Sequence, residues 1–184
     1  METNPDPTEV LAQWEADEKA RRDRFGAPGL ARPEQAQGKT GMQFFEAMFA
    51  GEVPGPLIGA TLSFLPVEVS FGRAVFQGRP KLEHYNPIGT VHGGWIATLL
   101  DSCVGCAVHS TLPAGKAYTT LELKVNLVRA IRPDTGRVRA EGRVIHVGGQ
   151  TATADARLVG PDGKLYAHGS TTCLVFEPRR AAPR

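Results

Sequence analysis

Residues 91–110 read VHGGWIATLLDSCVGCAVHS, a run too long and too evenly apolar for a β-strand. Its residues are mostly compatible with helix, and apolar side chains lie all round it, so the pattern predicts a buried helix rather than a surface one. The most apolar part, Trp95 to Val108, carries Asp101 near its middle and is shorter than the roughly 20 residues a membrane span requires.

Outside this run a two-residue period dominates. On its C-terminal side Leu121, Leu123, Val125 and Leu127 alternate with Glu122, Lys124 and Asn126. Val138, Ala140, Gly142 and Val144 alternate with arginines and Glu141, and Ala152, Ala154, Ala156 and Leu158 with Thr153, Asp155 and Arg157; a last strand is expected from about Leu165 to Phe176. Pro133-Asp134-Thr135-Gly136, Gly148-Gly149 and Pro161-Asp162-Gly163 read as hairpin-type connections. On the N-terminal side, the chain is expected to become strand-like from Leu57, with strands at Leu62–Ser70 and Ala74–Arg79. The order is two strands, one buried helix and four antiparallel strands: an α+β fold in which a sheet wraps a helix.

Before that core, Phe44, Phe45, Met48 and Phe49 give residues 42–50 the apolar face of a short helix. Further upstream, Val10, Leu11 and Trp14 stand among charges from Glu15 to Arg24, predicting an exposed, weakly amphipathic helix that ends by Gly26-Ala27-Pro28-Gly29. The expected division is a helical extension and linker over residues 1–40, a core domain over 41–178 and a basic tail over 179–184.

The chain has 184 residues, enough for one well-buried domain, with 41% hydrophobic and 22% charged residues. A formal charge of +2 is too small to point to nucleic acid. Three cysteines form no disulfide framework, and the start METNPDPTEV lacks a signal peptide's basic and apolar regions, so a cytoplasmic protein with reduced thiols and no membrane partner is expected.

Chemistry concentrates where the helix begins. In His84-Tyr85-Asn86-Pro87-Ile88-Gly89-Thr90-Val91-His92-Gly93-Gly94, two glycines at a helix start leave main-chain N–H groups approachable at the positive end of the helix dipole. Such groups suit a developing oxyanion, although a tight turn alone also accounts for the pair. Asp101 is a carboxylate within an apolar helix, costly unless bonded or used, and Ala97, Thr98 and Gly105 beside it are small enough to leave room for a ligand. Eight residues separate Gly93 from Asp101, or about 12 Å along one helix. A base and an oxyanion donor must both lie about 3 Å from one reacting group. Two antiparallel copies of the helix meet that condition, so a site built from these residues is shared across a dimer.

The pattern Asn86-x-x-Gly89-x-x-His92-Gly93-Gly94 with Asp101 seven residues on, followed by Thr120-Leu121-Glu122-Leu123-Lys124-Val125-Asn126 and Arg129, resembles hotdog-fold thioesterases of the phenylacetate-pathway, PaaI-like type. The resemblance covers roughly residues 54–176. It implies a helix wrapped by an antiparallel sheet and hydrolysis of acyl-CoA thioesters between two subunits, without a cofactor or metal. By position, it makes Asp101 the catalytic carboxylate, as general base or nucleophile, and Gly93 the N–H that polarises the carbonyl. Asn86 then helps to hold the thioester, His92 shapes the loop, and Thr120 positions water. Gly94, Thr119 and Arg129 are further substrate contacts. Strand alternation puts Thr120 on the face of Glu122 and Lys124, which leaves open whether Thr119 or Thr120 reaches the site. The resemblance also leaves open the acyl group and the pairing of dimers into tetramers.

Two other readings compete: a hotdog dehydratase or hydratase, needing His84 or His92 for acid–base work, and a non-catalytic acyl-CoA-binding module. Cys103-x-x-Cys106 with His109 has too few ligands for zinc and reads as packing. The arginines at 129, 132, 137, 139 and 143 read mostly as solvated strand faces, with one or two available to CoA phosphates.

Overall fold

A computed structural model describes residues 6–178; the predicted tail at 179–184 lies outside the described residues, as do residues 1–5. Four helices, α1 (Pro7–Arg22), α2 (Pro33–Ala36), α3 (Gly41–Phe49) and α4 (Leu57–Leu62), precede strands β1 (Phe64–Ser70) and β2 (Arg73–Gly78). The long helix α5 (Gly93–Ser110) follows, then β3 (Ala117–Leu127), β4 (Val138–Val147), β5 (Thr151–Val159) and β6 (Leu165–Phe176). The strands form one antiparallel sheet in the order β1-β2-β4-β5-β6-β3, wrapped around α5.

Small residues let the sheet close on its helix. Ala74, Ala140, Ala152, Ala154, Ala156 and Ala167 are buried on the inner face. At Gly142 an added Cβ would stand 2.9 Å from the Cys103 carbonyl oxygen, so a larger residue would push α5 away. Into the space fit Leu99, Leu100, Val104 and Val108, all fully buried; each such side chain contributes roughly 1.5–3 kcal/mol. The Cys103 thiol lies 3.2 Å from both the Ala74 and Ala140 carbonyl oxygens, a packing position between strands.

Three expectations need correction. Residues 57–62 form a helix, since this segment lacks a two-residue apolar period and follows a proline that opens α4. The Pro133–Gly136 turn joins no hairpin: β3 pairs with β6, so the chain crosses from the sheet edge to β4. Alternation along β3 also slips. The β3–β6 register shifts between Thr120 and Glu122, a bulge that turns Leu121 outward to 59% exposure while Thr120, Leu123 and Val125 remain half-buried.

The N-terminal helix is docked rather than exposed. Trp14 is buried, and the amide of the fully buried Gln77 donates to the Trp14 carbonyl (3.0 Å) and to Glu18 (2.8 Å). Arg139 donates to the Gln77 side-chain oxygen (2.8 Å) and to Asp17 (2.6 Å), with its guanidinium 4.7 Å from the centre of the Trp14 ring. Arg137 pairs with Glu15 and Glu18. Arg137 and Arg139 are therefore not solvated strand residues. They hold α1 on the outer face, where Leu65, Val67 and Val75 form an apolar cluster with Phe25 packed against it.

Burial pushes the Glu18 carboxyl up, but hydrogen bonds from Arg137, Gln77 and Arg22 outweigh it and hold the group below its ordinary 4.5. Asp17 behaves likewise: burial opposes, and the Arg139 and Gln13 bonds prevail. A carboxylate depressed on folding stabilises the docked state above its ordinary value and stops doing so as pH falls through its folded value. Hydrogen-exchange protection of residues 7–22 is therefore expected to fall selectively below pH 4.5. At neutral pH, Arg139→Ala should produce the same local loss and cost about 1–3 kcal/mol, because Gln77 and Asp17 lose a partner. Equal protection in the wild type and this variant would show that the ion pairs do not hold the helix.

Candidate active site

His92 is the residue before α5, and its Nδ1 accepts a hydrogen bond from the Gly94 N–H (2.8 Å). The Trp95 N–H is taken by the His92 carbonyl (3.0 Å). The Gly93 N–H, between them in the first turn, has no hydrogen-bond partner among the described residues. An added Cβ here would come within 2.9 Å of Leu127 Cδ1, the end of an exposed side chain that would have to turn aside. The loop before the helix is tied at Asn86, whose N–H donates to the Thr90 carbonyl (2.7 Å) and whose carbonyl accepts from Gly89 (3.0 Å). Gly89 closes this turn at φ +80°, where a side chain would be strained. The Asn86 amide donates to Thr90 Oγ1 at 3.3 Å.

Two helical turns on, the half-buried Asp101 accepts a hydrogen bond from Thr120 Oγ1 at 3.0 Å. Thr119 is exposed. The bulge at Leu121 explains why parity counted back from Leu123 gives the wrong face. Residues not foreseen from the sequence complete the surroundings. Burial pushes the Cys106 thiol up to about 12, with the Asp101 charge adding to the effect. Tyr118 rises well above its ordinary range, chiefly through burial and then through the nearby Cys106, Cys173 and Asp101. Cys173, across the ladder from Thr120, is also raised by burial. These groups keep their protons at neutral pH. Tyr118 could have been found by stepping two residues back from Thr120 along the inner face.

The Tyr118 phenol packs on Gly105, where an added Cβ would be 2.8 Å from its hydroxyl, and its ring lies 5.6 Å from that of His109. Burial lowers the His109 pKa, and Phe44 packs 5.4 Å from this imidazole. An aromatic wall thus stands on the C-terminal side of Asp101. Phe45 also packs on the His109 imidazole at 5.2 Å, and with Met48 it belongs to a buried cluster against which Phe44 and Cys106 pack.

One chain brings Asp101 to Thr120, and Asn86, His92 and Gly93 to the helix start, but these groups remain about 12 Å apart along α5. Arg129 is exposed after β3, its N–H bonded to the Tyr166 carbonyl (3.0 Å). Among the described residues no cluster of three or more His, Cys, Asp or Glu suited to a metal occurs, and no helix is long and apolar enough to cross a membrane.

The family described as the Thioesterase superfamily matches residues 88–167. A provisionally named esterase of Halobacterium salinarum is 36% identical over 106 residues, covering 54% of this chain and 70% of that protein. A Ralstonia eutropha structure, provisionally described as a thioesterase related to phenylacetic acid degradation, is 29% identical with TM-score 0.65, covering 71% of this chain and 98% of the other. A point mutant of phenylacetic acid degradation protein PaaI from Thermus thermophilus is 26% identical with TM-score 0.58, covering 64% of this chain and 96% of the other. The chain belongs to the thioesterase superfamily, in its hotdog fold, and thioester hydrolysis is its reaction.

Proposed function

We propose that the protein hydrolyses acyl-CoA thioesters of short-to-medium or aromatic acyl groups, at sites shared between two subunits. The observation carrying this reading is the division of the chemistry along α5: a carboxylate held by Thr120 at its middle and an unpartnered Gly93 N–H at its start. In a two-fold pair with antiparallel helices, Asp101 of one subunit faces Gly93 of the other. Asp101 then removes a proton from a water that adds to the carbonyl carbon, or adds directly and gives an acyl–Asp101 anhydride that water afterwards hydrolyses; in both the C–S bond breaks, and the Gly93 N–H binds the carbonyl oxygen as it gains charge. Thr120 orients the carboxylate and the water, Asn86 holds the thioester, and CoA leaves as the thiol after taking a proton. His92 fixes the first turn and consumes the Gly94 N–H, so Gly94 serves by lacking a side chain. Thr119 and Arg129, both exposed, are read as contacts at the rim of that shared site.

Two features support a dimer. β3 is an edge strand, and its eleven residues include the exposed Leu121 and Leu127. Unpaired edges of this length invite pairing with another strand. Next to β3, Ala97, Thr98, Asp101 and Ser102 form a stripe of α5 that the sheet leaves half-exposed, small enough for a second helix to approach. Pairing of such dimers into tetramers is compatible with this arrangement.

The hydratase reading fares worse. His84 Nδ1 accepts from the Lys81 N–H (2.9 Å), and His92 Nδ1 from Gly94, so both imidazoles serve local structure. The Tyr118–His109–Phe44 wall limits the room beyond Asp101. A panel of CoA esters, read by released thiol, should show kcat/KM rising from acetyl to medium or aromatic acyl groups and falling for palmitoyl, each accommodated methylene adding about 0.8 kcal/mol. Failure to cleave any ester would overturn the proposal, and palmitoyl-CoA as the best substrate would overturn the pocket reading alone.

A further inference from the structure

The hydrogen bond from Thr120 to Asp101 depends on the bulge in β3, and the side chains around that bulge pull the other way. Leu123 and Val125 pack on the core, so strict alternation back from them would turn Leu121 inward and Thr120 out to solvent. Instead Leu121 is 59% exposed and Thr120 Oγ1 donates to Asp101 at 3.0 Å. Within the chain a leucine gains by burial, so the regular register competes with the bulged one and would leave Asp101 without its donor.

A tie to the bulge comes from the neighbouring strand. The β3–β6 ladder pairs Thr120 with Cys173 and Glu122 with Thr172, and Leu121 is the extra residue between those pairs. Thr171, on the inner face of β6, is 2% exposed, and its hydroxyl donates to the Glu122 carbonyl at 2.7 Å. With its proton committed there, the Thr171 oxygen can accept from the fully buried Cys173 thiol, 3.9 Å away. Burial keeps that thiol protonated at neutral pH.

The surroundings of Thr171 otherwise suit an apolar side chain. Its ladder neighbours are Ala154 on β5 and Leu123 on β3. A valine has nearly the same shape and would bury no hydroxyl, so the oxygen at this position is accounted for by the bond it makes to the bulge. We infer that Thr171 is a positioning residue of the active site: its hydroxyl pins the bulge in β3 and so turns Thr120, rather than Leu121, toward Asp101. Its consequence for turnover rests on the acyl-CoA reading of the site; its consequence for Thr120 does not.

The test compares two variants of the full chain: Thr171→Val, which removes the hydroxyl and keeps the shape, and Thr171→Ser, which keeps the hydroxyl. With benzoyl-CoA, Thr171→Val is expected to lower kcat roughly threefold to tenfold, the scale of one lost hydrogen bond, with KM retained. Thr171→Ser should recover most of that loss. Because Thr171 acts only through Thr120, adding Thr171→Val to Thr120→Val should lower kcat no further, whereas independent effects would multiply. Nuclear Overhauser contacts from the Thr120 methyl to the Asp101 β-protons report its facing without any turnover. They should weaken in Thr171→Val and persist in Thr171→Ser. Wild-type kcat in Thr171→Val, a loss that multiplies in full with that of Thr120→Val, or unchanged Thr120 contacts overturns the inference. If the wild type cleaves no thioester but Thr120 turns away from Asp101 in Thr171→Val, the positioning role stands and the acyl-CoA hydrolase reading falls.

Discussion

Asp101→Asn is expected to fold, to bind acyl-CoA and to lose about 10²–10⁴-fold in kcat, the scale of a positioned base. The substitution keeps the shape of the side chain, and its amide oxygen can still accept the Thr120 hydroxyl that Asp101 accepts at 3.0 Å. What disappears is the basic oxygen, and no neighbour replaces it. The Cys106 and Cys173 thiols and the Tyr118 phenol are all raised by burial and stay protonated. Retained KM with lost kcat is the signature of a group acting in the reaction rather than in binding. A folded Asp101→Asn protein that turns over at nearly the wild-type rate would falsify the mechanism.

The second large effect is recovery. Asp101→Ala and Asn86→Ala chains, each nearly inactive alone, should regain activity when refolded together. At random re-association about half the dimers are mixed and one site of each pair is intact, so about a quarter of wild-type activity should return. The argument depends only on the roughly 12 Å along α5 between the helix start and Asp101. Mixed dimers verified by mass spectrometry that stay inactive would mean that both residues serve the same site from one chain.

The buried helix was legible because residues 91–110 are apolar on every side, and Asp101 was legible because a lone carboxylate there demands an explanation. The β4–β5 and β5–β6 pairings also follow from alternation and turn residues. Thr120 was harder. A bulge adds one residue without disturbing local composition, and the exposed Leu121 looks like any inward leucine. The crossover at 128–137 was hidden for a related reason: Pro133-Asp134-Thr135-Gly136 has the same turn chemistry whether the next strand is adjacent or across the sheet. The position of α1 was not legible, because the charges that hold it belong to strands far away in sequence.

That separation bears on the order of assembly. Glu15 and Asp17 pair with Arg137 and Arg139 across 122 positions. Such distant contacts are slow to form, and during synthesis domains emerge from the N-terminal end. Helix α1 leaves the ribosome well before β4 and must wait for it, and until then the apolar outer face at Leu65, Val67 and Val75 lacks its full cover. A helix made early thus docks only after the residues around β4 have emerged, and in that interval the apolar side chains on the outer face of β1 and β2 are open to contact with other proteins.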